Sequence, residues 1–406
     1  MANETITGVP GFWAGALRCG IKQSNKPDLA LLVSKVPATA AAVFTRNKIV
    51  GAPITVGRAN LRSGRLHGCI VNSGCANVCT GDRGIRDARE MCQLTADSLM
   101  ARIPTVSAEM ILPGSTGVIG HFLPMDKLRA GIPRLAGEIS DSQVAGQAFA
   151  QGILTTDTRV KMAGVTVRLG SAAVRIAGAC KGSGMIAPNM ATMLAYVGTD
   201  AAIALPLLRR TVKMVADETF NCVTVDQHTS TSDTFACLAN GLAGHRLLRT
   251  TGRDWEKFRA GLFEVCDELS RQIAADGEGA TKLVRVLVSG AASAADARKA
   301  AMAIANSPLV KTAIHGGDPN WGRFVSAAGY SGAAMQAQRA TCRVGKITVF
   351  KNGRPAQVDL GAVQREMKHA ELDIAVDLGT GHSFGCRVYT CDLSREYIAI
   401  NADYHT

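Results

Sequence analysis

KGSGMIAPNMATML, residues 181–194, is a glycine- and proline-bearing turn set between two apolar runs, and its reading decides the rest. Gly182-Ser183-Gly184-Met185-Ile186-Ala187 is a formal GxGxxA after a strand, with Asp200 about where a ribose-binding acid would sit. Pro188-Asn189 argues against a dinucleotide turn, because proline interrupts the helix whose N-terminus would hold the pyrophosphate. Read instead as a strained loop, the stretch delivers a small residue, Ala191, followed by a hydroxyl residue, Thr192. A self-cleaving bond needs such a pair, since hydroxyl attack on the preceding carbonyl requires close approach. Cleavage would leave Thr192 as a new N-terminus whose α-amine, with a reference pKa of about 7.7–8.0, can act as general base for its own hydroxyl. On spacing alone, a helix start after a loop is the competing reading.

No other nucleophile motif displaces this one. Gly381-His382-Ser383-Phe384-Gly385 is a formal GxSxG, but the residues that follow, CRVYTCDLS, read as strand where a nucleophile elbow needs a helix. The acid and base would also have to follow within the last 21 residues, so this motif is read as a turn. There is no Walker A sequence and no HExxH.

Outward from the loop, strands and helices alternate. Runs of strand length occupy Leu29 to Val36, Ala41 to Phe44, Leu66 to Val71 and Leu283 to Val288. Val165 to Leu169 and Ala173 to Ala177, joined through Gly170-Ser171, read as a hairpin. Cys342 to Phe350 and Ala356 to Leu360 read as another around Asn352-Gly353. Val388 to Ile400 continues in strand-like alternation. Helices are expected at Asp82 to Ala101, Leu205 to Phe220, Trp255 to Ala275 and Ala294 to Ala305, the last N-capped by Ser293. Thr250 to Glu256 is charged and turn-rich but makes a poor linker. The expectation is a layered α/β fold with mixed sheets.

Composition excludes several classes. Of 406 residues, 47% are hydrophobic and 19% charged, which describes a chain with a large core rather than a disordered one. The net charge of +12 is spread without basic runs, and aromatics are only 5%, so nucleic acid is not the expected partner; anionic small molecules are. The twelve cysteines form no CxxC pair. Cys75 and Cys79, with His67, are too loosely spaced for a zinc site, while Cys69, Cys180, Cys237 and Cys266 read as small core hydrophobes in a reducing compartment. The N-terminal twenty residues resemble neither a signal nor a transit peptide, and the most apolar window, Met193 to Leu208, is broken by Asp200 and Pro206 and cannot span a membrane.

At this point several long segments carry a resemblance. They are DLALLVSKVPATAAAVFTRN (28–47), NSGCAN (72–77), STGVIG (115–120), the 181–194 loop, TVDQHTSTSDT (224–234), DGEGATK (276–282), GDPNWGR (317–323) and NADYHT (401–406). In this order, nearly end to end, the chain resembles the ArgJ family, the ornithine acetyltransferases and bifunctional glutamate N-acetyltransferases of arginine biosynthesis.

The resemblance implies an α-β-β-α sandwich of the ArgJ/DmpA-like kind, cut between Ala191 and Thr192 into an α chain, 1–191, and a β chain, 192–406. It implies that Thr192 takes the acetyl group from N2-acetylornithine and passes it to L-glutamate. Thr116 and Gly117 would form the oxyanion hole, and Thr155, Lys181, Thr192, Glu278, Asn401 and Thr406 the substrate contacts. Both chains would stay together, as α2β2, in the cytoplasm, with no metal or cofactor and with no nucleic-acid or membrane partner. Acetyl-CoA as a further donor stays open, as does a related self-cleaving amidase or aminopeptidase; a dinucleotide-binding protein is the alternative of another class. The chain departs from the family pattern at Cys75, where asparagine is usual, and at Gln227-His228, where Gly-Asp is usual. His228 is read as a local substitution rather than a catalytic base.

Overall fold

A computed structural model describes residues 4–187 and 193–403. Strands β1 to β8 are Phe12–Leu17, Leu29–Phe44, Arg65–Cys75, Ile111–Val118, Lys161–Leu169, Ala172–Lys181, Leu194–Thr199 and Thr234–Ala239. Strands β9 to β14 are Leu283–Ala291, Thr341–Val344, Ile347–Lys351, Arg354–Pro355, Glu371–Asp377 and Phe384–Cys391. Helices α1 to α6 are Ala52–Asn60, Gly81–Leu99, Met125–Glu138, Gln143–Gly152, Leu205–Glu218 and Arg253–Ala275. Helices α7 to α11 are Ala294–Asn306, Pro308–Gly316, Gly322–Gly329, Leu360–Met367 and Arg395–Ala402.

The first sheet runs β4-β3-β2-β8-β7-β6-β5, with β1 also on β2. Its β3–β4 and β7–β8 pairs are parallel and the rest antiparallel, so the expected mixing of directions holds. The two strands expected at 29–36 and 41–44 are one strand. Its register on β3 slips between Val33, opposite Gly68, and Ala38, opposite Leu66, and Pro37 sits in that slip. Proline donates no ladder hydrogen bond and favours such bulges, where a strand bends.

The bend folds this sheet over itself. Along β2, Leu29, Leu31 and Val33 face α2 and α3, while Ala30 and Leu32 face inward. Along β7, Leu194 and Tyr196 meet that inner core, while Ala195 and Val197 pack under α5 and α6. Strand alternation thus sorts each residue to one of three cores. The resulting order is helices, sheet, sheet, helices, which is the expected α-β-β-α sandwich. The inner layer is tight at Gly114, where an added Cβ would stand 2.4 Å from Tyr196 Oη.

A six-stranded sheet, β12-β11-β10-β13-β9-β14, adds a further body with its own core under α7, α8, α9 and α10. Here the local readings need correction. Asn352 and Gly353, at φ of 53° and 74°, turn the short β11–β12 hairpin as a paired left-handed turn should, but β10 joins β11 at Gly345 and residues 356–360 lead into α10 instead of forming a strand. Strand β14 ends at Cys391, and α11 follows because the Ser394 hydroxyl accepts from Tyr397 N and caps it. The Ser293 cap on α7 forms as expected, and Thr250–Glu256 runs into the first turn of α6. Among the described residues, no helix is long and apolar enough to cross a membrane.

Candidate active site

Six of the expected site residues meet. Thr116, Gly117, Thr155, Lys181, Glu278 and Asn401 line one cavity of about 150 Å³. They come from the end of β4, the segment after α4, the end of β6, the α6–β9 loop and α11. Thr192, the expected nucleophile, and its partner Ala191 at the expected cleavage point lie outside the described residues, as does Thr406. The chain on either side of the first two is fixed beside the cavity: Lys181 of β6 pairs with Leu194 of β7.

Gly117 sits at φ 129°, opposite Gly74 of β3, and an added Cβ would stand 2.3 Å from the Gly74 carbonyl carbon. Only glycine suits that conformation and that approach. Lys181 is buried, and burial pushes its ammonium below the usual range even though Asp157 favours its charge. Glu278 lies against Gly184, where an added Cβ would be 2.2 Å from the carboxyl carbon. Its Oε2 accepts from Asn401 Nδ2 at 2.9 Å, and its backbone N–H donates to Ser183 O at 2.9 Å.

A buried ionic cluster holds these loops. Lys161 Nζ donates to Asp157 Oδ1 at 2.7 Å and to Asp276 Oδ2 at 2.5 Å, with all three side chains buried. Asp157 accepts from Gly182 N at 2.7 Å and Thr155 N at 3.0 Å, which fixes two walls of the cavity. Asp276 accepts from Thr158 N and Arg159 N, and its carbonyl accepts from Ser183 Oγ at 2.6 Å. Burial alone would raise the Asp157 carboxyl, but Lys161 and then Lys181 bring it down to about 2. Burial likewise opposes the Lys161 charge, yet Asp157 and Asp276 hold its proton above the usual lysine range.

Two further carboxylates were not anticipated from sequence. Asp226 accepts from Met185 N at 2.6 Å and Ile186 N at 2.9 Å, pinning the loop where Met185 takes φ 57°. Asp233 Oδ1 accepts from Met193 N at 2.9 Å, and burial drives its pKa well up. Ser230, Thr231 and Ser232 line the same cavity. A run of hydroxyls and acids at 224–234 was the only available signal for them.

The discarded motifs stay discarded. Asp200 lies beyond the opposite end of β7 from the cavity and accepts from Arg175 N at 2.8 Å, so it cannot serve a ligand at Gly182–Ala187. Ser383 is followed at once by strand β14 where a nucleophile elbow needs a helix. His67 is bound by Ser34 O and Thr105 Oγ1, and among the described residues no group of three His, Cys, Asp or Glu side chains is placed to hold a metal. Of the departures, Cys75 is buried and donates to His121 O, whereas Gln227 and His228 are exposed and outside the cavity. Gln227 has φ 66°, a conformation that glycine adopts more easily.

Comparison with known proteins follows the same lines. The model of the ArgJ family matches residues 13–406. The arginine biosynthesis bifunctional protein ArgJ of Deinococcus radiodurans is 45% identical over 402 residues, covering 99% of this chain and 98% of that protein. The protein of the same name from Geobacillus kaustophilus is 41% identical over 407 residues, covering 100% and 97%. The crystal structure of the Bacillus halodurans protein of that name is 39% identical with a TM-score of 0.51, covering 52% of this chain and 100% of the solved one. With its sandwich, its glycine-lined cavity and this end-to-end likeness, the chain belongs to the ArgJ family.

Proposed function

We propose that this enzyme moves the acetyl group of N2-acetylornithine to L-glutamate through an acetyl ester on Thr192. One observation carries the reading: Thr116, Gly117, Thr155, Lys181, Glu278 and Asn401, scattered over the chain, line a single small cavity, and one of them, Lys181, pairs with Leu194, two residues after Thr192 in sequence. The names of the relatives, arginine biosynthesis bifunctional proteins, support the same pathway.

In this reading the Thr192 hydroxyl attacks the acetyl carbonyl, and its proton passes to the threonine α-amine. The oxyanion accepts hydrogen bonds from Thr116 and the Gly117 backbone N–H, worth a few kcal/mol each. The C–N bond breaks, the held proton goes to the leaving amine, and ornithine departs. The glutamate amine then attacks the ester carbonyl, its proton passes through the α-amine to the threonine oxygen as the ester C–O bond breaks, and N-acetylglutamate leaves with the Thr192 hydroxyl restored. Lys181 suits a substrate carboxylate, and Glu278, oriented by Asn401, suits the side-chain ammonium of ornithine. Thr155 and Thr406 complete the contacts.

The same reading has Thr192 freed by cleavage after Ala191, giving chains 1–191 and 192–406 that assemble as α2β2 in the cytoplasm. It calls on no metal or cofactor, and acetyl-CoA is a second candidate donor. Two chains of 191 and 215 residues in the intact mass of the denatured protein are the expected result (406 minus 191 is 215). Thr192→Ala should give one uncut, inactive chain; a cut and active variant would overturn the assignment.

A further inference from the structure

A cavity of about 650 Å³ lies apart from the one just described and shares no lining residue with it. It opens beside β14, the edge strand of the second sheet, and is lined by Asp217, Glu218, Cys222, Arg298, Cys386 and Arg387. Cys222 and Cys386 both line it, Cys386 packs against the core cluster that holds Cys222, and both thiols are free. The Cys222 thiol donates to Asp217 O at 3.4 Å and Arg298 Nη1 reaches its sulfur at 3.7 Å, while Arg298 also binds Asn221 O. Cys386 is only partly buried and opens on the cavity.

The surrounding charges favour a thiolate on Cys386. The acids in reach are occupied: Asp217 by Lys213, Glu218 by Arg259 and Asp267 by Arg387. The neighbouring Cys222, with help from Arg298 and Arg387, brings the Cys386 thiol down to about 7 against the effect of burial. Cys386 and burial both push Cys222 up, so the proton stays on Cys222. Most other cysteines are buried, with thiols that burial raises, and the exposed Cys79 has no second thiol against it among the described residues.

We propose that Cys222 and Cys386 form a reversible disulfide when the enzyme meets a hydroperoxide, with Cys386 as the attacking sulfur. The Cys386 thiolate attacks the terminal peroxide oxygen, the O–O bond breaks, and the other oxygen leaves with a proton from solvent, as water from hydrogen peroxide or as an alcohol from an organic hydroperoxide, giving a sulfenic acid. Cys222 sulfur then attacks the Cys386 sulfur, the S–OH bond breaks, and the hydroxyl leaves as water with the Cys222 proton. The two thiols lose two electrons and the peroxide gains them. The bond joins the segment just before 223–234, a stretch whose Ser230, Thr231 and Ser232 line the active-site cavity, to the second sheet, and a dithiol reductant restores both thiols.

The test uses the whole native protein, treated with hydrogen peroxide, alkylated and digested without reductant. The expected product is a Cys222–Cys386 peptide pair lighter by about 2 Da than the two thiol peptides together, absent without peroxide and lost on dithiothreitol treatment. In Cys222→Ser, Cys386 should be trapped by dimedone as the sulfenic acid. Wild-type protein in which both cysteines stay alkylatable, or in which Cys386 reaches the sulfinic acid while Cys222 stays reduced, would overturn the proposal. So would a Cys222→Ser protein whose Cys386 gives no dimedone adduct.

Discussion

The carboxylate of Glu278 occupies the space that a side chain at Gly184 would need, with 2.2 Å between its carboxyl carbon and an ideal Cβ there. The KGSG loop therefore uses its second glycine to seat an acid from a distant loop. Gly184→Ala should push Glu278 off Asn401. The expected result is a rise of about tenfold in KM for acetylornithine, roughly 1.4 kcal/mol, with the melting temperature little changed. Steady-state kinetics with both substrates and a thermal melt check it; an unchanged KM would remove Glu278 from ammonium recognition.

Glu278→Gln keeps the shape and the Asn401 contact but loses the charge. A hydrogen bond to a charged group is worth about 1.5–3 kcal/mol, so KM for acetylornithine should rise by roughly ten- to a hundredfold. Glutamate has no side-chain ammonium, and its KM should move much less. Equal losses for the two substrates would contradict the role given to Glu278.

Lys161→Met should be among the most damaging substitutions outside the cavity. It would leave Asp157 and Asp276 buried without their shared cation, a change that costs about 3–5 kcal/mol in comparable sites. Urea unfolding at neutral pH measures it. Adding Asp157→Asn and Asp276→Asn should recover part of the loss.

Asp157 sets an acid limit. Its carboxyl is held at about 2 in the fold against an ordinary 3.8. A depressed pKa stabilises the fold above the unfolded value, and that contribution disappears as pH falls from 3.8 towards 2. Acid unfolding of wild type should steepen in this window, and Asp157→Asn should flatten it.

Asp233 behaves in the opposite sense. Burial raises its pKa, so it favours the fold when protonated and loses that contribution as pH climbs from the ordinary 3.8 through the raised value. Asparagine imitates the protonated form and still accepts from Met193 N. Asp233→Asn should hold stability within about 1 kcal/mol, while Asp233→Ala, which leaves that buried amide unpaired, should lose about 1–3 kcal/mol. Thermal or denaturant unfolding of the two variants separates these outcomes.

Much of this was legible in the sequence where the signal is local or repeats with a period. The apolar runs of β2 and the amphipathic α2 announce themselves, and the motif residues Thr116, Gly117, Thr155, Lys181, Glu278 and Asn401 do share one cavity. What escaped has a physical reason. Helices α1 and α9 span only nine and eight residues, too few for a helical period to repeat convincingly. The α11 cap at Ser394 depends on one hydroxyl. Lys161 and Asp276 meet across 115 residues of sequence, and no spacing rule connects such a pair. Gln227 betrays its left-handed backbone only once its φ is known.

The strand order β4-β3-β2-β8-β7-β6-β5 has a topological consequence for any break between Lys181 and Leu194. The first product would own β1 to β6, and the second would own β7 and β8, wedged between β6 on one flank and β2 on the other. The two polypeptides would be interleaved like the fingers of clasped hands. Neither could leave without tearing both the β2–β8 and the β6–β7 ladders, so separating the pieces is the same event as unfolding the sandwich.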